Sequence, residues 1–212
     1  MRYRLAIFDF DGTLSDSLVK ITGVTNRALS SFGLPERSID DVRPLVGLPL
    51  SEVLGRLSGG REVDALCDRY RELWDNRSPA PLFDGVVEML DELANADVRL
   101  AIATSRKREG LATMLAIHGL GDRFASLVGG GCTEMRKPHP APVYRVLDQC
   151  GVPAQESVVV GDTTYDMEMG SGAGADTCAV TYGAHPLQDL ERTGPTHVAH
   201  SVGDVMSAIR GR

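Results

Sequence analysis

The chain has 212 residues, 42% of them hydrophobic and 24% charged, and a formal net charge of −7. That is enough apolar material for one domain, or for one domain carrying a smaller inserted one, and the acidic balance argues against a general nucleic-acid binder, which needs a basic face. No apolar stretch approaches the length of a membrane span, so the expectation is a cytoplasmic chain with no membrane partner.

Taken in order, a short apolar run at Leu5–Phe8 reads as a buried strand and leads into Asp9-Phe10-Asp11-Gly12-Thr13. From Ser15 to about Pro81 no strand pattern occurs. Helical stretches near Leu18–Phe32, Leu50–Leu57 and Val63–Trp74 are separated by turn clusters at Gly33-Leu34-Pro35, Gly47-Leu48-Pro49 and Ser58-Gly59-Gly60. Ser78-Pro79-Ala80-Pro81 reads as the return linker. Beyond it, strand-like runs at Val98–Ala103, Ser126–Val128, Ser157–Val160 and Thr177–Val180 alternate with helix-period segments at Val86–Leu93, Gly110–Ile117 and Pro142–Cys150. Such alternation predicts an α/β fold, a Rossmann-like parallel sheet with an inserted all-helical unit. The division is 1–14 and 84–212 for the core and 15–83 for the insertion.

Four stations carry the chemistry. Asp9 and Asp11 follow the first strand, Thr104 with Ser105 the second, Lys137 lies in the loop after the third, and Asp162 with Asp166 follow the fourth. Ligands of open parallel sheets bind beyond the carboxyl ends of the strands, so the four segments converge on one crevice. Each residue has a plainer reading: turn or helix-capping carboxylates for the aspartates, an N-cap for Thr104, a solvated loop lysine for Lys137. Their joint placement favours a site. Cys67, Cys132, Cys150 and Cys178 show no metal or redox spacing and read as small core thiols in a reducing compartment.

These motifs resemble the haloacid dehalogenase superfamily, in particular its phosphoglycolate phosphatase-like branch with a helical cap. Asp9–Leu14, Ala103-Thr104-Ser105, Arg136-Lys137-Pro138-His139-Pro140 and Gly161–Asp166 match its four motifs in order. The resemblance implies the sheet order 5-4-1-2-3 and a Mg²⁺-dependent phosphatase of small phosphorylated metabolites. It implies Asp9 as nucleophile forming an aspartyl-phosphate and Asp11 as general acid and base. Mg²⁺ would be held by Asp9, the carbonyl of Asp11 and Asp162, with Asp166 supporting its water shell or holding Lys137. Thr104, Ser105 and Lys137 would bind phosphate, and Gly47, Leu48 and Pro49 would touch substrate from the cap, with Lys20 and Arg43 as further cap cations. A monomer or homodimer is expected. Alternatives are a sugar phosphomutase like β-phosphoglucomutase, or a non-catalytic binding module on the same fold. Ser105 and Arg106 replace the Asn and Lys common in the branch, and Gly129–Glu134 lacks an acidic pair often found there, which weakens transfer of the glycolate specificity.

Overall fold

The structure, a computed structural model, describes residues 1–75 and 78–211, so Asn76 and Arg77 of the expected insertion lie outside the described residues. Six strands form one sheet, β1 (Leu5–Phe8), β2 (Arg99–Lys107), β3 (Ser126–Gly130), β4 (Ser157–Gly161), β5 (Asp176–Val180) and β6 (His197–Ala199). They run parallel in the order β3-β2-β1-β4-β5-β6. Read from the other edge, the first five strands follow the expected order 5-4-1-2-3, and β6 adds a strand beyond β5.

The sheet is parallel because each crossover is long enough to carry a helix back to the starting end. In β1 the side chains alternate between two apolar layers. Leu5 and Ile7 face α7 (Ala141–Cys150) and α8 (Thr164–Gly172), while Ala6 and Phe8 face α5 (Val86–Asn95), α6 (Arg108–Ile117) and α10 (Val202–Arg210). Burial on both faces explains why the strands read as continuous apolar runs. A further helix, α9 (Leu187–Arg192), packs Leu190 against Met167 and Ala179.

Between β1 and α5 the chain forms α1 (Leu18–Ser30), α2 (Ile39–Val42), a 3₁₀ turn at Arg43–Leu45, α3 (Leu50–Ser58) and α4 (Val63–Leu73). These close over their own apolar cluster, centred on Leu29, Val42, Leu54 and Leu66. The helix α2 has too few residues for a periodicity signal; it starts at a capping box in which Ser38 and Asp41 satisfy each other's backbone amides. Entry and exit of the insertion lie side by side, tied by Asp16 N–H to the Pro81 carbonyl at 2.9 Å and Phe83 N–H to the Leu14 carbonyl at 3.0 Å. A bridge pairs Ser15 with Leu82.

Candidate active site

The register of the sheet assembles the site. Phe8 stands level with Ile102 of β2 and Val160 of β4, so the chain beyond Phe8 emerges between the carboxyl ends of both neighbours. Asp9 still donates its amide to the Val160 carbonyl at 2.9 Å, which fixes the start of the turn. Gly12 then takes φ +83°, and a Cβ there would stand 2.1 Å from an oxygen of Asp162. Only glycine lets the turn and that carboxylate approach so closely.

Asp9, Asp162 and Asp166 are buried and bring carboxylate oxygens within 4.8 Å of one another. Burial, aided by Asp166 and Asp11 against the pull of Lys137, pushes Asp9 up to about 6. Asp162 is pushed well above the usual carboxylate range by burial and by its two acidic neighbours, although Thr13 Oγ1 donates to it at 2.9 Å and the Ala184 amide at 2.8 Å. Lys137, with 1% of its side chain exposed, answers this charge. Its Nζ lies 2.5 Å from Asp166 Oδ1 and 3.0 Å from Asp9 Oδ1. Burial alone would favour the neutral amine, but Asp166 and Asp9 hold it as an ammonium. The Asp9 contact is a buried ion pair. The cluster thus holds three carboxylates against one ammonium.

Asp166 caps a helix and also holds Lys137. One oxygen binds Lys137, and the other accepts from the amide and hydroxyl of Thr163, at 3.1 and 2.6 Å, as the capping box of α8. Thr104 serves no cap. It lies inside β2, which runs further than its apolar stretch, and α6 begins after Lys107 with no side-chain cap. Between Ala103 and Lys107 the register of β2 slips against Val128 and Gly130, so three residues bulge out of the ladder. A Cβ on Gly130 would stand 2.4 Å from the Ser105 carbonyl, and one on Gly129 2.7 Å from that of Arg106, which is why glycines end β3. The bulge aims Thr104, Ser105 and Arg106 into the crevice.

All three line a cavity of about 840 Å³ with Asp9, Asp11 and Lys137 on the sheet side and Gly47, Leu48, Pro49, Tyr70 and Trp74 on the insertion side. The Ser105 hydroxyl does not stand free for phosphate; it donates to the Gly47 carbonyl at 2.5 Å, joining the two sides. Arg43 donates to the Gly183 carbonyl at 3.3 Å, a second tie. Lys20 is occupied by the carbonyls of Asp75 and Ser78 at 2.6 and 2.5 Å, a local tie of the insertion. His139 is exposed and orders its loop by accepting from the Ala141 amide at 3.1 Å.

Two features lay beyond the motifs. The loop after β5 supplies the Ala184 amide to Asp162, a backbone contact that carries no side-chain signal. Arg106 forks onto Asp11, Nε to Oδ2 at 2.9 Å and Nη2 to Oδ1 at 2.6 Å. Burial would raise the Asp11 carboxyl, but the guanidinium overrides it and holds the group below the usual range.

The model of the haloacid dehalogenase-like hydrolases matches residues 6–180. The phosphoglycolate phosphatase of Pectobacterium atrosepticum is 31% identical over 211 residues, covering 95% of this chain and 90% of its own. Phosphoglycolate phosphatase 1 of Pseudomonas aeruginosa is 29% identical, covering 96% of this chain and 78% of its own. A solved haloacid dehalogenase-like family hydrolase from Streptococcus pneumoniae superposes with a TM-score of 0.88 at 23% identity, over 98% of each chain, and attests the fold.

Proposed function

We propose, from the premise that this chain belongs to the haloacid dehalogenase-like hydrolases and is a phosphoric monoester hydrolase among them, that it cleaves small phosphomonoesters through an aspartyl-phosphate on Asp9 with Mg²⁺ as cofactor. The observation that carries the reading is the buried cluster of three carboxylates opposed by one ammonium. An all-oxygen, hard donor set with this excess of negative charge fits Mg²⁺.

In this reading Asp9, Asp162 and the main-chain carbonyl of Asp11 would hold the ion, which would offset the charge of the carboxylates and the incoming phosphate and polarise the phosphoryl oxygens. Asp9 attacks phosphorus as its P–O bond to the leaving alcohol breaks, and that alcohol takes a proton from Asp11. Asp11 then takes a proton from the water that cleaves the aspartyl-phosphate. Lys137 and Thr104 grip the transferring oxygens, where charge shifts in the transition state. Asp166 positions Lys137. The Ser105 hydroxyl, on the evidence of its bond to Gly47, helps to hold the helical insertion, residues 15–83, as a closed cap. The names of the relatives favour phosphoglycolate-like esters, and the chain acts in the cytoplasm as a monomer or homodimer.

The test is hydrolysis of p-nitrophenyl phosphate and of phosphoglycolate by purified protein, with Mg²⁺ and with chelator. Mg²⁺-dependent turnover supports the reading; activity unaffected by chelation rejects the metal, and no turnover of any phosphomonoester rejects the phosphatase.

A further inference from the structure

The loop after β5 carries a buried side chain that the phosphoryl chemistry leaves unused. His185 stands edge-on to Tyr165, with ring centres 5.3 Å apart, and its Nδ1 accepts from the Thr164 amide at 3.2 Å. Thr164 is the first residue of α8, and the capping box of Thr163 and Asp166 serves the amides of those two residues. The imidazole takes the amide between them, which the helix itself leaves without a partner. Burial lowers the ring below its ordinary value, which favours the neutral imidazole that this bond needs. The same loop wraps Asp162. Ala184 N–H donates to Asp162 Oδ2 at 2.8 Å, and His185 N–H donates to the Asp162 carbonyl at 3.1 Å. Gly183 is pressed against both sides of the turn: a Cβ there would stand 2.3 Å from Cβ of Asp162 and 2.4 Å from the Gly12 carbonyl. The two main-chain bonds attach the loop to a single residue, about which it could hinge. The bond from Thr164 to the imidazole is a second point of attachment, and it closes a ring of contacts around Asp162.

We propose that His185 is a positioning residue for Asp162: its imidazole pins the loop to the start of α8, so that the Ala184 amide holds the Asp162 carboxylate within reach of Asp9, where the two would bind Mg²⁺. The inference rests on the metal site of the reading above. The Asp162 oxygens accept one bond each, Oδ1 from Thr13 Oγ1 and Oδ2 from the Ala184 amide, and each keeps a lone pair for a cation. Partners of this kind fix the orientation of a metal ligand, and losing one weakens metal binding by roughly 10- to 100-fold. His185 acts one bond further out, through Ala184, so its loss belongs at the lower end of that range. Its action depends on one atom, the acceptor Nδ1, and not on the bulk of the ring, which is what makes it separable from a packing role.

The experiment measures the Kd of Mg²⁺ by titration calorimetry in the wild type, His185→Asn, His185→Gln and His185→Ala, with a melting curve for each. Asn places an acceptor oxygen near the position of Nδ1, whereas Gln fills more of the ring's volume but carries its polar atoms near the position of Nε2. Kd should rise roughly tenfold in His185→Gln and His185→Ala, and stay within about threefold of the wild type in His185→Asn. With p-nitrophenyl phosphate, kcat of His185→Gln should return toward the wild-type value as Mg²⁺ is raised, with KM unchanged, because no group that would touch the ester has moved. A ring that only fills space gives the reverse order, with Gln closer to the wild type than Asn, and that order overturns the proposal. An unchanged Kd in a His185→Gln protein that melts lower than the wild type overturns it as well. Should His185→Ala fail to fold, the comparison of Asn with Gln decides alone. A wild type that binds no Mg²⁺ removes the proposed metal site and this inference with it. A wild type that binds Mg²⁺, with equal Kd in the Asn and Gln variants, overturns this inference alone.

Discussion

The two halves of the cavity wall are built on different physics. On the sheet side, Asp9, Thr13, Lys137, Asp162 and Asp166 are all buried and locked into one charged network whose members cannot move singly. On the insertion side an apolar cluster holds the helices to one another, and across the cavity the ties are few: the Ser105 hydroxyl to Gly47, Arg43 to the Gly183 carbonyl, and Arg106 over Trp74. The first arrangement suits a reaction that is the same for every phosphomonoester. The second is held by contacts that can each be lost without disturbing the first. On the proposed function, chemistry would sit where displacement is costly, and choice of substrate where it is cheap.

The comparison predicts that damage on the sheet side abolishes turnover for all substrates. Asp9→Asn removes the nucleophile and one charge of the metal site, so kcat should fall by roughly 10³-fold or more while the far-UV spectrum and melting curve remain those of a folded protein. Retention of more than a few per cent of the activity would remove Asp9 from its role. Asp11→Asn should be gentler and selective. In single-turnover measurements the phosphorylation step should drop by roughly 10²- to 10⁴-fold for an alkyl phosphate and far less for p-nitrophenyl phosphate, whose leaving group departs without a proton. Equal losses for both would end the general-acid assignment.

Stability sharpens the same contrast. Lys137→Ala leaves Asp9 and Asp166 buried without their cation, and urea unfolding should show a loss of about 3–5 kcal/mol, the usual cost of breaking a buried pair from one side. A loss below 1 kcal/mol would mean that the network relaxes freely. Mg²⁺ at about 100 times its Kd should stabilise the wild type by about 2.7 kcal/mol, a rise in Tm of roughly 5–10 °C for a chain of this size. The rise should vanish in Asp162→Asn, and its persistence there would move the ion elsewhere.

How far the sequence revealed this molecule depends on the same division. The strands were readable because burial on both faces forces uninterrupted apolar runs, as in Ser157–Gly161. The strand β6 was not, since His197-Val198-Ala199 is short and lies at an edge, where Val198 is 36% exposed and little apolar patterning is required. The convergence of the motif residues on one crevice was readable because strand ends dictate their places. The clamp of Arg106 on Asp11 joins residues 95 positions apart and depends on a register slip in β2 that no local pattern announces. Thr104 was expected after the strand for the same reason: hydrogen bonding carries β2 past the end of its apolar stretch into the bulge.

The smallest expected effect lies on the insertion side, at Leu48. Its neighbours Gly47 and Pro49 line the cavity with it, and Ser105 grips the Gly47 carbonyl, so on the proposed function the loop would meet whatever projects from the phosphate. Leu48 itself is only partly buried against the apolar cluster of the insertion, so a charged replacement can turn toward the cavity at modest cost. Leu48→Glu should change KM by roughly 3- to 10-fold for natural phosphomonoesters and reorder them, with anionic esters losing most because a carboxylate now faces them. For p-nitrophenyl phosphate, which offers the loop little to grip, the change should be smaller, and kcat for all esters should stay near the wild-type value because no group of the buried network has moved. A metabolite panel read by phosphate release decides it. An unchanged ranking in a variant that melts like the wild type would place specificity elsewhere in the insertion, and a common fall in kcat would show that the two walls of the cavity are not separable.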